Sequence, residues 1–470
     1  MPAISAAAMW KWLFIRVVGL WNLFIFGLFT VIFIAVVAPL QAVAIPVDPR
    51  RRVAATLTRW MWGGLMIHAH WPFWRVTTTG LERLGKGPWV LAANHQSMLD
   101  IPVVCRLPVP VRVLARPGVF RMPVFGMMAR QGRHINLDPS TPESLQRAVD
   151  HVRRELAEGA SVLVFPEGTR GDGPGLLPLK RGVFEIAIQS GTDVLPICIS
   201  GTRDALPKGS PFALKAFSRF HLQVLEPVPV AGRTRREVTR LVEERMTRAL
   251  TGPRPWDVCA AVKLRYAALG RFRAGWAGGK TSADPVFWAL HERLPSSGRW
   301  LDVGCGEGLL AVYLQAAGHT LQAHGIDPDK DRVSQANAVL GEGFTVGDAR
   351  DLEATGLQGP WDVITCIDVL HYLSSEEQRT VLAGFAAQLR PGGRLVVRDP
   401  DASRGFRGAL TVGAERALVA GGRHVGEGVQ AQGASGLARW MGQLLIDVHT
   451  EDCSAGTPFA NVLLSGRKSG

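Results

Sequence analysis

The fold of the N-terminal half is decided by an apolar run and the polar turn behind it, Trp89-Val90-Leu91-Ala92-Ala93-Asn94-His95-Gln96-Ser97-Met98-Leu99-Asp100. Five apolar residues in a row predict a buried strand of a parallel sheet. The polar residues that follow predict a strand-to-helix turn. His95 and Asp100 can form a base–orienter pair there, in which the imidazole takes a proton from an attacking hydroxyl and the carboxylate fixes its tautomer.

Two more apolar runs of the same kind follow, at residues 161–165 and 194–199. The first ends in Pro166-Glu167-Gly168-Thr169-Arg170, and Lys180 comes shortly after. Such a turn offers backbone N–H, hydroxyl and cationic groups to an oxyanion or a phosphate. Strands alternating with helices, as in the helical pattern of residues 233–250, predict an α/β domain.

Together these motifs resemble the sequence blocks of the 1-acylglycerol-3-phosphate (lysophosphatidic acid) acyltransferase family, over about residues 76–230. The resemblance implies that His95 is the general base and Asp100 its partner. It also implies that the acyl acceptor is bound by Glu167, Gly168, Thr169, Arg170 and Lys180. The acyl donor would be a thioester of CoA or of acyl carrier protein.

The second block departs from the family pattern, which ends in an acidic residue and an arginine that helps to bind glycerol phosphate. Here the stretch reads His134-Ile135-Asn136-Leu137-Asp138-Pro139, with no arginine at its end. Arg130 and Arg133 could substitute for it or could be solvated surface charges. The departure affects the identity of the acceptor more than acyl transfer itself.

The C-terminal half is decided by residues 299–308, a strand followed by Gly304-Cys305-Gly306-Glu307-Gly308 and a helix. Glycines at alternate positions let the backbone approach a ligand closely at a helix N-terminus. The spacing differs from the G-x-G-x-x-G of NAD sites. Asp327 ends a second strand, and Asp348 follows a third. Residues 361–367 predict a fourth strand, and residues 389–397 predict a turn and a fifth strand.

This succession resembles a class I S-adenosylmethionine-dependent methyltransferase over about residues 265–470. The resemblance implies a Rossmann-like, doubly wound domain with S-adenosylmethionine as cofactor. Asp302, Gly304, Gly306 and Gly308 would surround its methionine end, Asp327 would bind the ribose and Asp348 the adenine amine. His371 follows the fourth strand, as an acceptor-side base or as an ordinary structural histidine.

A membrane anchor is predicted at the N-terminus. Residues 17–40 carry no charge and are long enough to cross a bilayer, although a signal peptide is the alternative reading. Residues 61–74 suit a helix lying in the interface, or a core helix. Arg50, Arg51, Arg52 and Arg59 outnumber Lys11 and Arg16, so the positive-inside rule places the catalytic domains in the cytoplasm, at a bacterial-type inner membrane.

Charge is unevenly distributed over the 470 residues. Residues 1–250 hold 31 Lys/Arg and 17 Asp/Glu, or +14, and the remainder holds 22 and 23, or −1. A basic half suggests an anionic partner such as membrane lipid or acyl carrier protein. No nucleic-acid-binding module is visible, so no nucleic-acid partner is expected. The six cysteines form no CxxC pair, which argues against a metal site and for a reducing compartment.

The sequence therefore predicts a membrane anchor (1–75), an acyltransferase domain (76–250), a linker or lid (251–285) and a methyltransferase domain (286–470). The anchor is either a single transmembrane span or a two-helix hairpin that dips into one leaflet. The expected function is a bifunctional membrane enzyme whose two halves serve one lipid or acylated-product pathway. Two alternatives remain open. One half could serve binding only, or the protein could be an RNA-modifying methyltransferase with a membrane anchor.

Overall fold

The computed structural model describes residues 6–44, 46–48, 51–71, 73–138, 141–173, 175–209, 215–420, 428–454 and 457–470. The chain divides into two compact units, Met1–Gly252 and Pro253–Gly470. Each unit is an α/β domain built on a mainly parallel sheet, which confirms the predicted fold class. Arg50 and Pro139, which entered the sequence argument, lie outside the described residues.

The first unit contains a seven-stranded sheet with the order β1-β7-β6-β2-β5-β3-β4. Its strands are β1 (Trp74–Thr79), β2 (Val90–Ala93), β3 (Val111–Ala115), β4 (Ile135–Asn136), β5 (Ser161–Val164), β6 (Val194–Ser200) and β7 (Ser218–Val224). All neighbouring pairs are parallel except β6 and β7. Because β6, β2 and β5 are adjacent, the polar segments that follow them meet at one edge of the sheet.

Helices cover this sheet and precede it. They are α1 (Ala6–Ile32), α2 (Ala38–Val43), α3 (Arg52–Arg59), α4 (Met66–Ala69), α5 (Asp100–Val104), α6 (Pro117–Arg121), α7 (Pro123–Gln131), α8 (Pro142–Ala157), α9 (Gly182–Ser190), α10 (Thr202–Ala205) and α11 (Arg235–Thr251). Wider π-helical turns occupy Phe33–Val37 and Trp60–Leu65, and a 3-10 turn occupies Leu81–Lys86.

One helical stretch among the described residues, Leu13–Val43, is long and apolar enough to cross a membrane. Its large apolar side chains are mostly exposed, as at Leu20 (67%), Phe24 (58%) and Val31 (61%). An ordinary core helix would bury them. Length and composition alone do not separate an anchor from a signal sequence.

The prediction of one helix over residues 61–74 is only partly right. Helical structure ends at Ala69, and Trp74 begins β1. Trp74 is buried, and its ring contacts Phe220 edge-on at 5.4 Å between centroids. An uncharged, Trp-rich run satisfies a core strand as well as a helix, so composition could not place this boundary. Trp62 is buried as well, whereas Trp60 is exposed.

The second unit contains a seven-stranded sheet with the order β10-β9-β8-β11-β12-β14-β13. Its strands are β8 (Ser297–Val303), β9 (Thr320–Asp327), β10 (Phe344–Val346), β11 (Trp361–Ile367), β12 (Leu389–Pro400), β13 (Ile446–Asp452) and β14 (Asn461–Arg467). Only β14 is antiparallel to its neighbours. The chain reverses direction of winding between β8 and β11, which is where doubly wound sheets bind their ligands.

The helices of this unit are α12 (Pro255–Tyr266), α13 (Arg271–Ala283), α14 (Val286–Arg293), α15 (Leu309–Ala316), α16 (Lys330–Leu340), α17 (Ser375–Gln388), α18 (Gly405–Ala420) and α19 (Ala434–Leu444). Three 3-10 turns occupy Ala267–Leu269, Glu353–Thr355 and Leu370–Tyr372. The stretch predicted as a linker or lid is thus mostly helical. Val258, Val262 and Tyr266 of α12 are buried in the core of the second unit.

Candidate active sites

In the first unit, His95 and Asp100 form the predicted pair. Their Nδ1 and Oδ2 atoms are 2.8 Å apart. The same carboxylate oxygen accepts the backbone N–H groups of Gln96 (2.7 Å) and Ser97 (2.8 Å). Asp100 is fully buried, whereas the His95 side chain is 17% exposed and stacks on Phe165. Because Asp100 occupies Nδ1, the nitrogen left to take a proton is Nε2.

Thr202 joins this pair, and the sequence argument missed it. Its hydroxyl donates to Oδ1 of Asp100 at 2.6 Å, and its side chain is fully buried. Thr202 begins α10 directly after β6, where Gly201 takes a left-handed φ of 88°. The signal available in the sequence was its position after the third apolar run, since neighbouring parallel strands end at the same edge.

Glu167 connects the first and third motifs. One carboxylate oxygen accepts the backbone N–H of His95 at 2.7 Å, and the other accepts that of Leu177 at 3.0 Å. The side chain is buried, and burial raises the pKa of Glu167 although both N–H groups favour the charged form. The carbonyl of His95 in turn accepts the N–H of Gly171 at 2.8 Å. These bonds fix the turn that carries His95.

The remaining residues of the third motif lie at the surface of this turn. Gly168 has a φ of 69°, and a Cβ there would lie 2.7 Å from Nζ of Lys180. The structure therefore brings Gly168 and Lys180 together. Thr169 and Lys180 are exposed, and Arg170 is half-buried. Exposed polar groups beside His95 are available to a substrate.

The second motif offers no replacement for its missing arginine at Arg133. The Arg133 guanidinium pairs with Glu155 at 2.5 Å and with Glu158 at 2.8 Å. Arg130 donates to the carbonyl of Phe120 at 2.8 Å. Arg133 is thus committed to two carboxylates of its own chain.

In the second unit, the glycine loop after β8 has the geometry of a ligand cradle. Gly304, Gly306 and Gly308 have φ values of 77°, 54° and 75°. A Cβ on Gly304 would lie 2.2 Å from Val369, whereas a Cβ on Gly306 would meet nothing within 4 Å. The backbone at Gly306 therefore faces open space, which is what close approach to a ligand requires.

Asp302 and Asp327 lie on either side of this loop. Asp327 accepts the N–H of Gly306 at 2.9 Å and that of Asp329 at 3.0 Å. Asp302 is buried and accepts the Thr365 hydroxyl at 2.6 Å. Burial, with the charge of Asp327, raises the pKa of Asp302 to about 7. Asp327 is thus hydrogen-bonded to the glycine loop at Gly306, and Asp302 lies at the end of β8, just before the loop. The structure brings together four of the six predicted cofactor residues, Asp302, Gly304, Gly306 and Asp327.

The other two predicted cofactor residues are placed differently. Gly308 begins the helix α15, and a Cβ there would lie 2.5 Å from Leu340. Asp348 follows β10 and pairs with Arg350 at 2.6 Å, and this arginine lowers the pKa of Asp348. Its carboxylate is therefore engaged by a neighbouring cation rather than by the glycine loop.

Two helices before β8 hold the glycine loop from outside. The Tyr266 hydroxyl donates to the carbonyl of Glu307 at 2.7 Å, and Arg273 pairs with the carboxylate of Glu307. Arg273 was missed because nothing in a basic, glycine-rich stretch singles out one arginine.

Charged residues gather where β11 and β12 end. His371 Nδ1 lies 2.6 Å from Oδ1 of Asp399, and Arg398 pairs with Asp284 and Asp368. Asp368 has a φ of 57°, an uncommon conformation for an aspartate. His371 was singled out from the sequence, but Asp399 and Asp368 were not.

Comparison with known proteins assigns each half to a class. A family model described as "Acyltransferase" matches residues 75–200, and one described as "Methyltransferase domain" matches residues 283–444. The chloroplastic 1-acyl-sn-glycerol-3-phosphate acyltransferase LPAT1 of Arabidopsis thaliana is 33% identical over 165 residues, 35% of this chain and 46% of the relative. The lyso-ornithine lipid O-acyltransferase of Pseudomonas aeruginosa is 30% identical over 211 residues, 42% of this chain and 79% of the relative.

Among solved structures, a SAM-dependent methyltransferase of Thermotoga maritima has 17% identity and a TM-score of 0.33, covering 44% of this chain and 99% of the other. The chain spans about half the length of the plant and algal acyltransferases that it matches, at 46%, 53% and 43% of three of them.

Proposed function

The chain belongs to the Acyltransferase family through its N-terminal half and carries a methyltransferase domain in its C-terminal half, and from this we propose a membrane-bound enzyme that catalyses both transfers. The first unit moves an acyl group from a thioester of CoA or acyl carrier protein to the hydroxyl of a lyso-lipid. The observation that supports this most strongly is the 2.8 Å contact between the partly exposed His95 and the buried Asp100.

The acyl transfer uses His95 as general base. Its Nε2 accepts the proton of the lyso-lipid hydroxyl as the oxygen attacks the thioester carbonyl, and the proton then leaves with the thiol. Asp100 keeps the imidazole in the correct tautomer and stabilises the imidazolium. Glu167 holds the His95 turn in place. The exposed Thr169 and Lys180, with Arg170, bind the polar headgroup of the acceptor.

The acyl acceptor that we propose is a lyso-lipid recognised with little dependence on a phosphate. The second motif, residues 134–138, has no arginine at its end, and Arg133 is paired with Glu155 and Glu158. One relative is named for 1-acyl-sn-glycerol-3-phosphate and another for a lyso-ornithine lipid. The loss of a cationic phosphate contact favours an acceptor of the second kind over a glycerol phosphate.

The second unit takes S-adenosylmethionine as methyl donor. The residues fit this molecule, since Gly306 presents its backbone to open space and the buried Asp327 lies beside it at the end of the second strand. When bound, the sulfonium supplies an activated methyl group. Asp327 would accept hydrogen bonds from the ribose hydroxyls, and Asp302 and the glycine loop would hold the methionine end. The methyl acceptor is a product or precursor of the same lipid pathway.

The helix Leu13–Val43 supports the proposed membrane location, because its exposed apolar side chains suit a lipid environment. A cytoplasmic location of both catalytic units is part of the proposal, and the positive-inside rule supports it because arginines follow this helix.

The acyltransferase assignment is tested with His95→Ala in the full chain, solubilised in detergent. Removal of a general base lowers turnover by about 10²–10⁴-fold. Thioester consumption is measured with lysophosphatidic acid, lyso-ornithine lipid and lysophosphatidylcholine as acceptors. His449→Ala, at an exposed position on β13, is the matched control and keeps full activity. Full turnover by His95→Ala would overturn the assignment.

A further inference from the structure

A buried histidine, His371, lies in the turn that follows β11 of the methyltransferase unit. The turn Leu370–Tyr372 follows β11, and Asp399 lies near the end of the adjacent parallel strand β12. Val369 packs against Gly304, because a Cβ on that glycine would lie 2.2 Å from its side chain. His371 is therefore two residues from a direct contact with the loop that we assign to the methyl donor.

The two ring nitrogens of His371 differ in their surroundings. Nδ1 lies 2.6 Å from Asp399, but Nε2 is buried with no hydrogen-bond partner among the described residues. The nearest acidic oxygen, on Glu415, is 3.7 Å from Nε2, which is too far for a hydrogen bond, and it accepts the Tyr372 hydroxyl instead. The side chain of His371 is fully buried. Unpaired buried nitrogens are rare in folded proteins, and this one is available to an atom of a ligand.

We propose that His371, oriented by Asp399, is the base that accepts the proton of a hydroxyl on the methyl acceptor. This inference rests on the methyl transfer proposed above. The acceptor oxygen forms a bond to the methyl carbon, and the carbon–sulfur bond of the sulfonium breaks to give a neutral thioether. The hydroxyl proton passes to Nε2, while Asp399 holds the proton on Nδ1. The atoms and charges balance without any further reactant.

The charges around His371 define the class of acceptor. Asp399 on β12, Glu415 on α18 and Asp368 after β11 are acidic. The cations nearby are Arg398, which pairs with Asp368, and Lys280 on α13. Three carboxylates disfavour an acceptor that arrives as an anion, such as a carboxylate. A neutral hydroxyl that loses its proton inside the site, as in a phenol or an enol, fits this surface.

The same charges make the base dependent on the donor. Burial alone would lower the pKa of His371, but Asp399, Glu415 and Asp368 raise it to about 10. Burial also raises the pKa of Asp399, against the pull of His371. The imidazole therefore keeps a second proton at neutral pH until a positive charge approaches. The sulfonium of a bound donor supplies that charge, lowers the pKa of His371 and frees Nε2.

Proton release on ligand binding tests this directly. The full chain in detergent is titrated with S-adenosylmethionine and with S-adenosylhomocysteine at pH 8, by calorimetry in phosphate and in Tris. The two ligands differ by a methyl group and its positive charge. Asp302, with a pKa raised to about 7, is already mostly ionised at pH 8, so it contributes little to the difference in proton release between them. We expect on the order of half a proton more for the sulfonium ligand. His371→Gln removes this difference, and His449→Gln keeps it.

The outcomes separate the two proposals. Equal proton release by both ligands in the unmodified chain, or an unchanged difference in His371→Gln, overturns the base assignment while donor binding stands. Failure to bind either ligand overturns the methyltransferase proposal and this inference together. A second experiment follows a deuterated methyl group from S-adenosylmethionine into extracted membrane lipid. We expect methyl ethers, which keep the label after treatment with mild alkali. Alkali-labile esters or N-methyl products would contradict a hydroxyl acceptor with this base.

Discussion

Replacement of Thr202 by valine tests the acyltransferase site at a residue that no substrate needs to touch. Three of the donors to Asp100 converge on Oδ2, from His95, Gln96 and Ser97, whereas Oδ1 accepts the Thr202 hydroxyl at 2.6 Å. Valine has nearly the same shape but no donor, so it leaves Oδ1 of a fully buried carboxylate unpaired. A hydrogen bond to a charged group is worth about 1.5–3 kcal/mol. If loss of this hydrogen bond raises the activation free energy by the same amount, because His95 is no longer held in its productive orientation, turnover falls about 10–150-fold.

Initial rates of thioester cleavage in the presence of a lyso-lipid, measured from pH 5 to 9, give the readout. We expect Thr202→Val to lower kcat more than it raises KM, and to shift the acid limb of the pH–rate profile toward higher pH. The carboxylate, having lost one donor, holds the protonated imidazole more tightly. Thr202→Ser keeps the hydroxyl and serves as the control with near-normal rates. Full turnover and an unchanged profile in Thr202→Val would refute the reasoning.

Four further predictions follow from the same geometry. Glu167→Gln lowers kcat and leaves the KM for the acceptor nearly unchanged, because both oxygens bind backbone N–H groups; a raised KM at constant kcat would instead indicate a substrate ligand. Asp327→Ala weakens S-adenosylmethionine binding about ten- to hundredfold by calorimetry, and tighter binding of NAD in the unmodified chain would contradict the donor assignment. Because the second motif has no arginine at its end, a phosphate-free lyso-lipid is acylated at least as fast as lysophosphatidic acid in competition assays, and a strong preference for the phosphate would oppose this. Burial lowers the pKa of His134 to about 4 and that of His221 to about 3, from 6.5; the unfolded chain then binds more protons below pH 6.5, so the melting temperature of the first unit falls as pH decreases toward 4, whereas a flat profile by calorimetry would contradict it.

The strands that carry the sites could be predicted because they are short apolar runs that end in distinctive polar residues. The fourth strand of the second unit, residues 361–367, is found where it was predicted. His95 and Asp100 are five residues apart, so their contact needs only a local turn. Contacts between residues so close in sequence depend on local backbone geometry, which the sequence pattern predicts.

Contacts between residues that are far apart in the chain could not be predicted from the sequence. Thr202 lies 102 residues from Asp100, and Asp399 lies 28 residues from His371. Each pair meets because two parallel strands are neighbours in the sheet, and strand order cannot be read from one sequence. The boundary at Trp74 was missed for another reason, since a buried tryptophan satisfies a strand and a helix equally well.

The central claim, that one chain holds two independent transferase sites, is tested most directly by a double-label experiment on the full chain in lipid vesicles. Lyso-lipid acceptors are supplied with a thioester carrying a ¹³C-labelled acyl group and S-adenosylmethionine carrying a deuterated methyl group, and the extracted lipids are analysed by mass spectrometry. S-adenosylmethionine is kept below the Kd of the unmodified chain. We expect both labels with the unmodified chain. His95→Ala lowers the acyl label about 10²–10⁴-fold and keeps the methyl label when the acylated product is supplied, and Asp327→Ala lowers the methyl label about ten- to hundredfold and keeps the acyl label. Loss of both labels in either variant, or undiminished acyl transfer in His95→Ala, would contradict the account.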